Sequence, residues 1–280
     1  MQNIQTVLIP AYDSPLILME NLVNDISQVP KDKKLIIFDL DGTLTESKSD
    51  IDEEMAGLLE KLLKKKQIAV IGGAKYELFQ QQLLSKLNAP NELLNNLFLF
   101  PTTATAFYKY NSSTWEEVYR DDLANEEKEK VFSAFEKTFQ ELKYKHPDKI
   151  YGKLIEDREA QITFSALGQE APIDIKEKWN KENPDIRARM EEILQKYLPD
   201  MEAKVAGLTS IDVTRKGIDK AYGIRQMAKH LNVPIEDMLF VGDAFFPEGN
   251  DEAALKTGVL CFEVKGVEET KKLIRHLISE

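Results

Sequence analysis

The sequence predicts an α/β fold: a doubly wound parallel sheet interrupted by an inserted α+β unit. Three observations predict it. Short uninterrupted apolar runs recur at Leu35–Phe38, Ile68–Ile71, Leu97–Phe100 and Met238–Val241, the pattern of strands buried on both faces. Between the early runs lie stretches with apolar residues at helical spacing. From about residue 111 to 214 that alternation gives way to strand runs and long helices, the mark of a separate unit.

Taken in order, residues 1–32 read as an extension, in which Leu16, Ile17, Leu18, Leu22, Val23 and Ile26 fit a short amphipathic helix after Pro15. The first strand, Leu35–Phe38, runs into Asp39. Asp50-Ile-Asp-Glu53 has the pattern of a capping box with Asp50 as cap. The helix behind it places Ile51, Met55, Leu58, Leu59, Leu62 and Leu63 on one face. Strand Ile68–Ile71 ends in Gly72-Gly73-Ala74. A helix grouping Leu78, Phe79, Gln82 and Leu83 follows, and then strand Leu97–Phe100. Thr105–Tyr110 and Thr114–Tyr119 read as a hairpin about Asn111-Ser-Ser.

In the inserted unit, Glu126–Lys145 reads as a long helix with Val131, Phe132, Phe135, Phe139 and Leu142 inward. Lys149–Glu156 and Ala160–Ala166 read as strands, Asp174–Lys181 and Asp185–Leu198 as helices, and Ala203–Val213 as a strand pair or bent strand around Gly207. The α/β pattern then resumes with a helix over Gly217–Leu231, strands Met238–Val241 and Gly258–Phe262, and a closing helix over Glu268–Ile278.

Ligands of parallel sheets bind at the carboxyl ends of strands, where Asp39 and Asp41 stand. Residues two apart on extended chain point the same way, so both carboxylates can serve one site, and Gly42 permits a tight turn and close ligand approach. Like charges this close call for a hard cation. Mg2+ takes one or two carboxylates and binds phosphate oxygens as well. Asp39 is then the candidate nucleophile and Asp41 the candidate general acid and base. A second acidic pair, Asp243 and Asp251, follows the strand Met238–Val241 and supplies further candidate metal ligands, with Asp251 also placed to cap a helix. Lys216 and Lys220 both open the helix after the insertion, where a cation is unfavourable without an anionic partner.

Composition narrows the class. The chain has 280 residues, 42% of them hydrophobic, enough for one large or two modest domains with a real core. Its 37 basic and 48 acidic residues give a net charge of −11, which argues against nucleic acid or an anionic membrane surface as a partner. The single cysteine, Cys261, excludes an intrachain disulfide and a cysteine-rich zinc site. His146, His230 and His276 are not at metal-ligand spacing and read as solvated or capping residues. No apolar run approaches the roughly 18 residues of a membrane span, and no signal-peptide pattern opens the chain. The expectation is a cytoplasmic protein with a small-molecule partner.

The segment Asp39-Leu-Asp-Gly-Thr-Leu-Thr45, with Gly72-Gly73, Lys220 and Gly242-Asp243 through Asp251 in order after it, resembles the haloacid-dehalogenase-like (HAD) phosphotransferases. The resemblance covers nearly the whole chain after residue 34. It implies a Rossmann-like HAD core of residues 1–110 and 215–280, with an inserted α+β cap of type C2B at 111–214. More narrowly, the chain is similar to eukaryotic-type phosphomannomutases. That similarity implies Asp39 as nucleophile, Asp41 as proton shuttle, and Thr43, Gly73 and Lys220 as phosphate holders. It further implies Mg2+ on Asp39, the Asp41 carbonyl, Asp243 and Asp251, cap contacts from Arg158, Ser210 and Asp212, and a homodimer formed through the cap.

Departures shape the functional expectation. Ala74 stands where the mutases carry serine, Gln169 where they carry a second cap arginine, Thr163 in place of a substrate-binding asparagine, and Lys48 in place of an arginine. A cap with one arginine fewer holds a distal phosphate less well. The sequence therefore favours an Mg2+-dependent phosphatase acting on a small phosphate ester, a sugar phosphate above all. A phosphomannomutase is the alternative, and an inactive binding protein a second.

Overall fold

The computed structural model describes residues 21–46, 49–247 and 249–279. In chain order the strands are β1 (Leu22–Val23), β2 (Leu35–Asp39), β3 (Gln67–Ile71), β4 (Leu97–Phe100), β5 (Ala106–Asn111), β6 (Thr114–Arg120), β7 (Ile155–Asp157), β8 (Gln161–Ser165), β9 (Met201–Ala206), β10 (Ser210–Arg215), β11 (Met238–Gly242) and β12 (Leu260–Glu263). The longer helices are α1 (Glu53–Leu63), α2 (Asn125–Glu141), α3 (Ile173–Glu182), α4 (Ile186–Tyr197), α5 (Lys220–Leu231) and α6 (Val267–Ile278).

Two sheets result. The larger has the order β1-β12-β11-β2-β3-β4-β5-β6, parallel through β4, with β5 and β6 antiparallel at one edge. The smaller is antiparallel, β7-β8-β10-β9. This is the expected parallel core with an α+β insertion. From β2 the chain builds outward to β3 and β4 on one side, and after the insertion it builds β11 and β12 on the other. The switch in direction falls between β2 and β11, where ligand crevices form in such sheets.

All five residues of β2 are buried, as a strand covered on both faces must be. Ile36 and Phe38 pack towards α1 and α6 with Leu58, Leu62, Leu273 and Leu277. Leu35 and Ile37 pack on the opposite face with Ile224, Met227, Met238 and Phe240. Each such side chain contributes roughly 1.5–3 kcal/mol by leaving water. The cap has its own core, in which Val131 and Phe135 of α2 and Met190 and Leu194 of α4 cover Ile162, Phe164, Ile211 and Val213.

Several expectations need correction. Leu22 and Val23 are not helical: they pair parallel with Cys261 and Phe262 at the sheet edge, while Leu16–Leu18 lie outside the described residues. The N-cap of α1 is Asp52, whose side chain accepts the Met55 N–H at 2.8 Å; Asp50 instead pairs with Lys86. The helix after β3 runs over Tyr76–Phe79 and continues as a π-helical turn, Gln80–Leu84. Phe132 points outward, because the face of α2 that meets the cap sheet is set by Val131, Ala134, Phe135 and Thr138. Of Lys149–Glu156 only the end, from Ile155, is a strand. The hairpin of β5 and β6 extends the large sheet, so the chain leaves that sheet after Arg120 and not at 111. His146 and His230 are exposed, as expected, and each also lies against aromatic rings, His230 at 4.7 Å from Tyr119. Among the described residues no helix is long and apolar enough to cross a membrane.

Candidate active site

The site is built where β2 and β11 end side by side. Val241 pairs with Phe38, so Asp39, the last residue of β2, and Asp243, just past β11, emerge next to each other. After Asp39 the chain turns tightly: Leu44 and Thr45 donate to the Leu40 carbonyl, and Gly42 to that of Thr45. Gly42 has φ +81, and a Cβ there would overlap the Asp243 carboxylate. The turn thus needs glycine twice, for its backbone and for the space that Asp243 fills.

Asp251 comes back from the end of the loop. It occupies the N-cap position of Glu252–Leu255 but does not cap that helix. Its Oδ2 instead accepts the main-chain N–H groups of Asp243 and Ala244, each at 3.1 Å. It therefore fixes the loop that carries Asp243. Asp39, Asp243 and Asp251 each offer a carboxylate oxygen within 4.8 Å of the others. Asp41 is half-buried and its carboxylate lies outside that trio; its main chain forms a bridge with Thr45.

Lys220, the first residue of α5, completes the cluster. It is 3% exposed, donates to Asp39 Oδ1, and lies 3.1 Å from Asp251 Oδ1, off the line of a hydrogen bond. Lys216 is exposed, which leaves Lys220 as the lysine of the site. α5 comes this close because residue 223 is glycine: a Cβ there would overlap Ile71 of β3.

The electrostatics leave the cluster short of positive charge. Burial, with Asp251 and Asp243 nearby, pushes the Asp39 carboxyl up to about 7 despite Lys220. Asp243 is pushed up by burial and by Asp251. Burial alone would lower the Lys220 pKa, but Asp251 and Asp39 outweigh it and hold the ammonium above its ordinary range. Three carboxylates against one ammonium leave two negative charges, the complement of one divalent cation. The donor set, all oxygen and partly buried, fits Mg2+.

Two groups are arranged for an anion. Thr43 is wholly buried, yet its hydroxyl has no hydrogen-bond partner among the described residues, a costly state unless a ligand satisfies it. Gly73 is exposed, with open space around its Cα. Its neighbours are tied to a turn that sequence reasoning missed: Thr102, Thr103 and Ala104 all have left-handed φ, +49, +56 and +64. The Thr103 N–H donates to the Gly72 carbonyl and the Thr102 N–H to that of Ala74, both at 2.9 Å. Three non-glycine residues in this region cost roughly 1–3 kcal/mol each. The tie holds the loop by its carbonyls although Ala74 has no hydroxyl.

In the cap, Arg158 with Gln169 and Thr163 with Asp212 form two polar groups. Arg158 Nε donates to Glu156 at 2.7 Å, and its Nη2 donates to Gln169 Oε1 at 3.2 Å. Gln161 donates to Thr163 at 2.9 Å and Thr163 to Asp212 at 2.7 Å. Burial raises the Asp212 carboxyl against the lowering effects of Thr163 and Arg158. Ser210 lies two residues before Asp212 on β10, half-exposed. Glu156, which occupies Arg158, was not singled out from the sequence, although Glu156-Asp-Arg158 places them two apart. Lys48 lies outside the described residues.

A family model for eukaryotic phosphomannomutase matches residues 55–280. The phosphomannomutase of Saccharomyces cerevisiae is 27% identical over 255 residues, covering 89% of this chain and 96% of that protein. That of Encephalitozoon cuniculi is 29% identical over 229 residues, covering 79% and 83%, and human phosphomannomutase 1 is 26% identical over 231 residues, covering 79% and 82%. Among solved structures, Plasmodium falciparum IMP-nucleotidase superposes with a TM-score of 0.65 at 20% identity, over 90% of this chain and 70% of that one. Aspergillus fumigatus trehalose-6-phosphate phosphatase gives 0.55 at 14%, over 89% and 94%. At these identities the structures speak for a shared HAD fold.

Proposed function

The chain belongs to the eukaryotic phosphomannomutase family, and on that premise we propose that it transfers a phosphoryl group between the 1- and 6-positions of a hexose. One observation supports the chemistry: a buried carboxylate, Asp39, held by Lys220 and faced by Asp243 and Asp251. The family match, which runs through the cap as well as the core, supports the mutase outcome.

In this reading Asp39 attacks phosphorus and becomes the aspartyl-phosphate. Asp41, half-exposed beside it, gives the leaving oxygen its proton and later takes one from the incoming hydroxyl. The Thr43 hydroxyl, the main-chain N–H groups about Gly73 and the Lys220 ammonium hold phosphoryl oxygens. Asp39, Asp243 and the Asp41 carbonyl would hold Mg2+, with Asp251 behind them. When bound, the ion offsets negative charge on the carboxylates and the phosphoryl group. Arg158, Ser210 and Asp212 orient the far end of the sugar.

The cap favours a second reading, hydrolysis. Arg158 is already paired with Glu156, Gln169 provides no charge, and Asp212 adds a carboxylate. Such a surface suits sugar hydroxyls better than a second phosphate.

The deciding assay supplies mannose 1-phosphate, Mg2+ and a hexose bisphosphate activator, and follows both isomer and inorganic phosphate. Mannose 6-phosphate formed faster than phosphate is the expected result. Phosphate without isomer moves the assignment to a phosphatase, and inertness towards this and a panel of phosphate esters ends both readings.

A further inference from the structure

We propose that Arg120 and Arg215 form an ionic hinge that fixes the angle between core and cap, acting as positioning residues for the cap turn that carries Arg158. The inference rests on the reading that the cap works over Asp39. The chain passes between the two sheets twice, after β6 and after β10, and each passage begins with an arginine: Arg120 reaches Glu159 in the cap, and Arg215 reaches Asp121 and Asp122 of the first passage.

Arg215 ends β10. Its Nε donates to Glu127 Oε1 at 2.9 Å and its Nη2 to Glu127 Oε2 at 2.6 Å, a bidentate fork. Nη1 donates to Asp121 Oδ1 at 2.5 Å, and Nη2 also reaches the Asp122 carbonyl at 2.8 Å. Glu127 Oε2 further accepts the Ala124 N–H at 2.7 Å, which ties the start of α2 to the same knot. Asp121 is joined to the core through its N–H, which donates to the Thr105 carbonyl at 2.7 Å. One guanidinium thus binds the second passage to the first, and the Asp121 main chain binds the first to the core sheet.

Arg120 ends β6 and works in the opposite direction. Its Nε donates to Glu117 at 2.8 Å, and it also donates to the Tyr108 hydroxyl, both partners on the core hairpin. Its Nη1 donates to Glu159 in the cap. Glu159 follows Arg158, has φ +72, and accepts the Leu123 N–H on its carbonyl at 2.9 Å. The turn that presents Arg158 is therefore anchored to the core beside it.

These side chains are partly exposed: Arg120 is 28% and Arg215 32% accessible, and Glu159 is 41% accessible. Ion pairs of that kind add little to stability. Their weight is geometric, because a planar fork with fixed donor directions resists twisting where a lone peptide crossing does not.

The test uses the full chain, Arg120→Gln, Arg215→Gln and the double variant. Each is assayed with mannose 1-phosphate and with p-nitrophenyl phosphate, a small ester that meets the core without cap contacts. Displacement of a positioning group by about 1 Å can cost up to about a hundredfold. The expected result is a loss of tenfold to a hundredfold in kcat/KM on the sugar phosphate, with the small ester within about twofold. Equal losses on both substrates, or none on the sugar phosphate, overturn the hinge. A readout independent of turnover is the distance between spin labels on cysteines introduced at Lys61 and Lys181, both exposed, with Cys261 buried. A broadened distribution in the double variant supports the hinge, and an unchanged one overturns it. A wild type inert on both substrates with a hinge that loosens as expected removes the functional reading alone.

Discussion

Lys220 donates to Asp39 across 181 positions of sequence, and both side chains are buried. The contact exists because α5 starts at the carboxyl edge of the sheet and lies close against β3. It couples the strand that opens the core to the helix that resumes it after the cap.

Replacing that lysine strands the carboxylates. Lys220→Met is expected to lower unfolding free energy by about 3–5 kcal/mol, the usual cost of removing one partner of a buried pair. Added Mg2+ should restore part of it, since the variant has three carboxylates and no cation. Urea denaturation with and without Mg2+ measures both effects, and a loss under about 1 kcal/mol would mean that Lys220 does not compensate Asp39.

Asp39→Asn should cut turnover by roughly a thousandfold or more, as loss of a nucleophile does elsewhere. Undiminished turnover would remove Asp39 from the role of nucleophile. Chelation of divalent ions should stop the wild type, with activity returning on Mg2+ addition.

Thr43→Val separates ligand binding from folding. The buried hydroxyl has no partner among the described residues, so its removal should leave Tm equal or slightly higher. The role proposed for it, holding a phosphoryl oxygen, predicts a fall of about tenfold in kcat/KM. A drop in Tm would point to a protein partner for the hydroxyl.

Gly42→Ala places a Cβ on the Asp243 carboxylate at φ +81. Activity and Mg2+ affinity should fall together, and stability by about 1–2 kcal/mol. Titration of Mg2+-induced thermal stabilisation checks the first; unchanged affinity would mean Asp243 is free to move aside.

The hinge has an acid signature. The Arg215 fork holds the Glu127 carboxyl down to about 2, below its ordinary value of 4.5. A group with a lowered folded-state pKa adds stability that is complete above the ordinary value and is lost as pH falls through the folded one. The stability difference between wild type and Arg215→Gln should therefore shrink between about pH 4.5 and pH 2. A difference constant over that window would show that the fork does not act through Glu127.

Much of this molecule was legible in the chain. Short apolar runs specify strands through burial, and the strand-end positions of Asp39 and Asp243 follow from the runs that precede them. The phase of a single helix was less secure: Phe132 and Phe135 are equally apolar, and only contact with the cap sheet decides which turns inward. Asp50 and Asp52 are equally good caps until the first helical turn is known. Leu22 and Val23 become a strand because β12 offers an open edge, a partner more than 200 residues away in sequence.

By itself, the sequence determined the α/β alternation, the acidic positions of the site and the departures at Ala74, Thr163 and Gln169. Local pattern carries such information, since periodicity and residue chemistry need no distant partner. Tertiary structure alone decided that Asp251 turns back onto its loop, that Glu156 occupies Arg158, and that two arginines tie the cap to the core. Those outcomes depend on which hydrogen-bond acceptors the folded backbone brings within reach, and Arg215 finds its own on Asp121, 94 positions away.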